Sequence, residues 1–391
     1  LIENNNIKIH TYHILSIVNM NPKITEQLEN GDLFTFTLSG LNVSLANAIR
    51  RTILSDIPTV VFFTETYNDN KCSIEINTSR LHNEIIKQRL SCIPIYQTDL
   101  TVLPGNYLLE VDVINDTDNI MYVTTEHFKI LNKTTNHYLK REEIAQIFPS
   151  DPLTNSYIDF VRLRPKIGDS IPGEQLKLKC EFSVSMAKVN SMFNVVSKCS
   201  YANTPDIVKI NNIWEDLQQK YASQEMSREE IEFEKRNFYI LDAQRHFTPD
   251  SFDFVVQTLS VYSNQEIVKK ACVILQNKFV DLIQAVESDT IIINTSDVVA
   301  EYSNMENSYD IILEGEDYTI GKVLEYILYE KYYQNEKTLT FCGFKKFHPH
   351  NTDSHIRIAF VEAVDKSMVK NYFYSACVDA QDFYKKVYGM F

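Results

Sequence analysis

Residues 265–286, QEIVKKACVILQNKFVDLIQAV, set Ile267, Val268, Ala271, Leu275, Phe279, Leu282 and Val286 at helical spacing. No other stretch restricts the architecture as strongly. A helix of about six turns with so wide an apolar face cannot stand in water and needs a large facing surface. Two further segments of this kind follow. Residues 319–333 carry Ile320, Val323, Leu324, Ile327 and Leu328 along one side, and residues 367–389 carry Met368, Val369, Tyr372, Phe373, Ala376, Phe383 and Val387. Three broad helix faces must therefore be buried.

Each of these helices follows strand-like sequence. FDFVVQTLSVY (252–262) alternates apolar and polar residues before the long helix, SYDIILEGED precedes the helix at 319, and SHIRIAFVEA precedes the last one. Upstream, DLFTFTLSGL (32–41) alternates likewise and leads into NVSLANAIRRTILSDIPT (42–59). There Ser44 is the expected N-cap, Leu45, Ile49 and Ile53 form an apolar stripe at i, i+4, i+8, and Pro58 ends the helix. Burial of those three side chains contributes roughly 5–9 kcal/mol. Arg50 and Arg51 fall off the stripe. A second helical stretch, LHNEIIKQRLSCIPI (81–95), places Leu81, Ile85, Ile86 and Leu90 on one side and stops before Pro94. Thr319 is the expected N-cap of the helix it opens.

Strand–helix–strand–strand–helix is thus written twice, once in the last segment and once in the first half with its insertion removed. The sequence divides accordingly into an N-terminal extension (1–20), a larger module (21–100 plus 186–287), an inserted β-rich domain (101–185), a polar linker (288–307) and a smaller module (308–391). The charged stretch within 206–246 reads as a solvated helical insertion. The fold class is α+β.

Composition excludes several functions. Lys and Arg number 38 against 52 Asp and Glu, a net charge of -14, so the chain lacks the broad basic footprint of a nucleic-acid binder. The seven cysteines are dispersed without C-x-x-C pairs, which speaks against a zinc ribbon or redox dithiol and for reduced, buried thiols. No apolar run reaches the ~18 residues of a membrane span, and the start of the chain lacks signal-peptide features. The expectation is a soluble, intracellular protein; the numbering does not start with Met, which leaves the true N-terminus open. The nine glycines form no phosphate-binding loop. The HPH run at 348–350 supplies at most half a tetrahedral metal site and reads as a turn. His82 and Glu84 at i, i+2 would diverge on a helix, so packing or capping is the expectation rather than acid–base work. The arginine pair leaves two readings open, solvation or the gripping of a protein carboxylate; a phosphate would find it too far from the free amides of a helix start.

NVSLANAIRRTILSDIPT together with TSRLHNEIIKQRLSCIPI resembles the third-largest subunit of eukaryotic RNA polymerase II, the archaeal D subunit and, more distantly, the bacterial alpha subunit. Ser44, Asn47, Ala48, Arg50, Arg51 and Pro58 carry the first motif; Leu81, His82, Glu84, Arg89, Leu90, Ile93 and Pro94 carry the second. The tail, through EDYTIGKVL (316–324), GFKKFHPH (343–350) and IRI (356–358), is similar to the small partner called L in archaea and the eleventh subunit in eukaryotes. A chain holding both resembles the fused subunit of some large cytoplasmic DNA viruses. It departs from the family in having only Cys180 between residues 100 and 186, too few for the family's cysteine cluster or iron–sulfur site there, and in placing Phe193 where many relatives have tryptophan.

The resemblance implies two alpha-like dimerisation modules pairing intramolecularly, the first interrupted by the β-rich insertion. It implies a non-catalytic assembly platform of a multisubunit DNA-directed RNA polymerase, with no cofactor or metal of its own. Its partners would be the largest and second-largest subunits, with small zinc-bearing subunits as further candidates, and no sequence-specific nucleic-acid contact or membrane. The implied partner interface is Arg51 with Arg50 in support, Asn47, Glu84 and Arg89. The implied packing set is Leu45, Ile49, Ile53, Leu275, Phe279, Leu282, Ile320, Val323, Leu324, Ile327 and Phe373. A viral source would place the protein in the virion and host cytoplasm. The alternative is a virion structural or adaptor protein that keeps the dimerisation fold.

Overall fold

The computed structural model describes residues 20–168, 170–295 and 305–391. The expected extension, save Met20, and the middle of the expected linker lie outside them. The described residues form a mixed α+β fold built mainly on antiparallel sheets.

The first sheet orders its strands β1 (Lys23–Asn30), β2 (Leu33–Ser39), β12 (Phe247–Thr258) and β11 (Val196–Pro205). Helix α1 (Val43–Ser55) follows β2, and α6 (Asn264–Glu287) follows β12. Another four-stranded sheet orders β13 (Ile292–Thr295), β14 (Ser308–Leu313), β16 (Ser354–Phe360) and β15 (Leu339–Lys345). Helix α7 (Tyr318–Leu328) follows β14, and α8 (Lys366–Tyr388) follows β16. Connectivity is the same in both: two strands, a helix, two strands, a helix, with the last strand inserted beside the second. The expected linker is partly strand, because Ile292 to Thr295 pair with Ile312 to Tyr309. A four-residue edge strand of this kind carries too little pattern to be read in sequence.

One continuous hydrophobic core runs through both sheets and their helices, from Phe34, Phe36 and Leu38 on β2 through Leu45 and Leu275 to Ile320, Ile356 and Phe373. Helix α6 lies along α8, while α1 touches both α6 and α7. Each long helix starts on a side-chain cap. Ser263 and Glu266 form a reciprocal capping box on α6, and Asp365 accepts the Met368 amide at 2.9 Å on α8. Two expected caps move. Asn42, not Ser44, caps α1 by accepting the Ser44 amide at 2.9 Å, and Asp317, not Thr319, caps α7 by accepting the Thr319 amide at 2.8 Å. In both cases an Asn or Asp two residues earlier reaches the free amide first. After Leu328 the helix widens into a π turn, Tyr329–Asn335.

A second core lies around β3 (Thr59–Phe62), β4 (Cys72–Asn77), β5 (Tyr107–Ile114), β7 (Lys129–Asn132), β8 (His137–Tyr138) and β10 (Gln175–Ser185). Helices α2 (Asn83–Ser91) and α3 (Arg141–Ile147) and the ribbon β6 (Met121–Thr124) with β9 (Asp159–Leu163) complete it. This core takes in Val60, Phe62, Cys72, Ile86 and Leu90, so the boundary expected at 100/101 cuts through it. The physical reason is pairing: Thr59 to Phe62 join Ser185 to Phe182 at the end of the insertion. The charged stretch folds into a hairpin of α4 (Ile207–Ser223) and α5 (Arg228–Ile240) around Trp214, Ile210 and Phe238.

Candidate assembly interface

Where α1, α6 and the start of α7 converge, the apolar core ends in charged side chains. Lys278 on α6 is 3.0 Å from Asp56, the residue ending α1, and 3.2 Å from Glu316, just before α7. All three are largely buried, with side-chain exposures of 19%, 10% and 16%. Beside them Arg51 donates from Nε to Thr319 Oγ1 at 2.8 Å and from Nη2 to Asp317 Oδ2 at 3.0 Å. Ser55 ties the end of α1 together, its single hydroxyl proton shared between the Arg51 carbonyl at 2.8 Å and the Asp56 carboxylate at 2.5 Å.

The charges are not equivalent. Burial pulls Lys278 down, but the Glu316 and Asp56 carboxylates outweigh it and hold the ammonium above its ordinary value. Burial likewise raises Glu316, and half a share of one ammonium does not reverse that. Burial pushes Asp317 up as well, yet the Thr319 amide and hydroxyl, Arg51 and Lys188 together hold it below the usual aspartate value. Such a cluster adds little net stability over an apolar contact, because desolvation offsets attraction. Misplacing it is costly, since one missing partner leaves a buried charge exposed to no compensation.

Deeper in, Tyr384 on α8 is fully buried, stacks on Phe279 of α6 with centroids 6.0 Å apart, and donates its hydroxyl to the Leu45 carbonyl at 3.3 Å. Burial holds its phenol well above the ordinary value, so it stays a donor.

Of the residues singled out in the sequence, Leu45, Ile49, Ile53, Leu275, Phe279, Ile320, Val323, Leu324, Ile327 and Phe373 are buried together in the first core. Leu282 is only half-buried at its margin. The five residues assigned to a partner interface divide between the two cores. Arg51 is turned onto Asp317 and Thr319 of the same chain. Arg50 donates to Asn47 at 3.0 Å on the flank of α1 and meets no carboxylate among the described residues. Arg89 donates to the carbonyls of Phe160 at 2.7 Å and Asp159 at 2.8 Å, which fixes α2 to β9. Glu84 meets His82 at 2.8 Å. The expected divergence of that pair fails because His82 is the extended residue before α2, not a helical one. Both side chains are exposed to solvent. His348 and His350 sit in an exposed turn with rings 4.9 Å apart.

Spacing gives no role to Asp56, Lys278 or Tyr384, and none to Glu316 and Asp317 beyond their place in the EDYTIGKVL motif. One signal was available: Leu275, Lys278, Phe279 and Leu282 stand at i, i+3, i+4, i+7, which puts a lone lysine on an apolar stripe. A cation there needs carboxylates from elsewhere.

The family described as the RNA polymerase Rpb3/Rpb11 dimerisation domain matches residues 35–279, a span from β2 into α6. The chain is 24% identical over 262 residues to the DNA-directed RNA polymerases II, IV and V subunit 3 of Arabidopsis thaliana, covering 64% of this chain and 75% of that one. It is 24% identical over 205 residues to the DNA-directed RNA polymerases I and III subunit RPAC1 of Homo sapiens, covering 49% and 56%. Over 64 residues it is 45% identical to the DNA-directed RNA polymerase subunit Rpo3 of Pyrococcus furiosus, covering 16% and 22%. The chain belongs to the RNA polymerase Rpb3/Rpb11 dimerisation domain family.

Proposed function

We propose that this chain is a non-catalytic assembly platform of a multisubunit DNA-directed RNA polymerase and that it carries both partners of an alpha-like dimer in one polypeptide. The observation that carries the reading is the continuous core in which α6 lies along α8 between two sheets of the same connectivity. In this reading β1, β2, β11, β12, α1 and α6 form the larger module, and β13, β14, β15, β16, α7 and α8 form the smaller one. Joining them by a short linker raises their effective concentration to about the millimolar range and removes a bimolecular step from assembly.

The largest and second-largest subunits are the partners in this reading. Arg50, held by Asn47 on a rigid helix flank and without a carboxylate partner among the described residues, is the anchor for one of them. Arg51 belongs instead to the internal seam. The second motif set in the tail, in fusion order, supports a large cytoplasmic DNA virus as the source, with virion and host cytoplasm as the places of action.

The test is purification of the tagged chain from its native source, followed by identification of what accompanies it. The two largest polymerase subunits are the expected companions, and Arg50→Glu should lower their recovery while the chain keeps its melting temperature. Recovery with virion proteins and no catalytic subunit would favour the adaptor alternative and end the polymerase reading.

A further inference from the structure

A second surface lies on the other core, where α2 meets the β6–β9 ribbon. Arg80 before α2, Arg89 on α2, Arg162 on β9 and Arg164 just after it line a groove of about 500 Å³ with Ile120 and Tyr122. Arg164 is neutralised by the buried carboxylate of Glu174 at 2.5 Å. Arg89 is fixed by the two β9 carbonyls, which orient its guanidinium without cancelling its charge. Arg162 lies over the Tyr122 ring at 6.0 Å, and neither it nor Arg80 forms an ion pair among the described residues. Asp159 contributes the one carboxylate of the lining. Positive charge is therefore in excess here, on a chain of net charge -14. Between the arginines Ile120 is 56% and Tyr122 50% exposed, so the groove pairs cations with open apolar surface.

We propose that this groove binds an extended peptide segment of a partner protein in which carboxylates alternate with apolar side chains. In an extended chain successive side chains point to opposite faces, and residues two apart share one. Such a segment can lay a carboxylate against Arg80 or Arg162 while a neighbouring side chain covers Ile120 and Tyr122. The guanidinium fork fits carboxylate oxygens in two parallel hydrogen bonds. Nucleic acid fits less well: phosphate tracking needs a long basic stripe to replace counterions, and the field of the whole chain repels a polyanion. The groove acts in this way whether or not the chain assembles a polymerase.

The test is fluorescence anisotropy on the full chain with a labelled ten-residue peptide alternating glutamate with leucine and phenylalanine. The peptide should bind in low salt, and the double variant Arg80→Glu/Arg162→Glu should weaken it by about tenfold or more. Tyr122→Ala should weaken it severalfold. The control Lys235→Glu/Arg236→Glu on exposed α5 makes the same change in net charge far along the chain and should leave affinity within about twofold. All variants alter exposed positions, and their melting curves confirm folding. No peptide binding, an unchanged affinity in the Arg80/Arg162 variant, or equal weakening by the control overturns the proposal. Tighter binding of a labelled single-stranded DNA of twenty nucleotides, lost in the same double variant, would make the groove a nucleic-acid surface instead.

Discussion

Arg51 on α1 and Asp317 at the start of α7 stand 266 residues apart in the chain and meet at 3.0 Å. The Asp317 carboxylate works with both oxygens: Oδ1 accepts the Thr319 amide and caps α7, while Oδ2 accepts Arg51 Nη2. The α7 cap and the seam are thus set by one side chain. Both partners remain about a third exposed, so solvent screens the ion pair itself.

A double-mutant cycle separates these roles. Arg51→Ala should cost about 1 kcal/mol, from the pair and the Thr319 bond. Asp317→Ala should cost about 1–2 kcal/mol, because it also removes the cap. The coupling energy from chemical denaturation of the two single variants and the double should be about 0.5–1 kcal/mol. Strict additivity would mean that the pair contributes nothing to stability.

Glu316 and Asp317, neighbours in the chain, titrate in opposite senses. Burial raises Glu316, so its contribution to stability is full below the ordinary value of 4.5 and is lost as pH rises through the raised folded value. Asp317 is lowered overall, burial opposing its amide, hydroxyl and arginine partners; its contribution is present above 3.8 and is lost as pH falls through the lowered folded value. Stability of the wild type relative to Glu316→Gln should therefore fall between pH 4 and neutrality. Relative to Asp317→Asn it should rise as pH is taken from below 3.8 to 5. Denaturant titrations at several pH values read both slopes, and two slopes of the same sign would contradict the assignment.

The helices and their buried faces were legible because 3.6-residue periodicity survives in sequence. Leu275, Phe279, Ile320 and Phe373 needed only spacing to be placed in a core. Spacing does not encode long-range pairing, so it could not show that Lys278 meets Asp56 and Glu316, or that β3 belongs with β10. The interface expected of Arg51 shows the same gap. A basic residue off an apolar stripe looks solvent-facing until α7, more than 260 residues later, brings Asp317 to it.

Gly321 lies on the buried side of α7, against the ring of Phe344 from β15. A Cβ at that position would stand 1.9 Å from Phe344 Cε2. Alanine gains about 1 kcal/mol in helix propensity, and forced repacking costs about 1–3 kcal/mol, so the contact decides the sign. Gly321→Ala should lower the stability of the chain by about 1 kcal/mol, with part of the loss recovered in Gly321→Ala/Phe344→Leu. A more stable Gly321→Ala variant would show that Phe344 gives way freely.

The seam between α6 and α8 can be tested by cutting the chain between residues 290 and 291, which leaves β13 with the sheet it pairs into. The cut removes the effective concentration of a tether, so association of the two fragments must come from the surfaces alone. Fragments 1–290 and 291–391 should co-elute as a one-to-one complex, and each alone should self-associate through its bared apolar helix. Phe279→Ala removes the ring stacked on Tyr384, a change that costs about 3–5 kcal/mol in a packed core and so weakens the complex by a hundredfold or more. Fragments that run as separate, well-behaved monomers when mixed would show that α6 and α8 do not recognise each other, and the shared core would lose its meaning as a dimer interface.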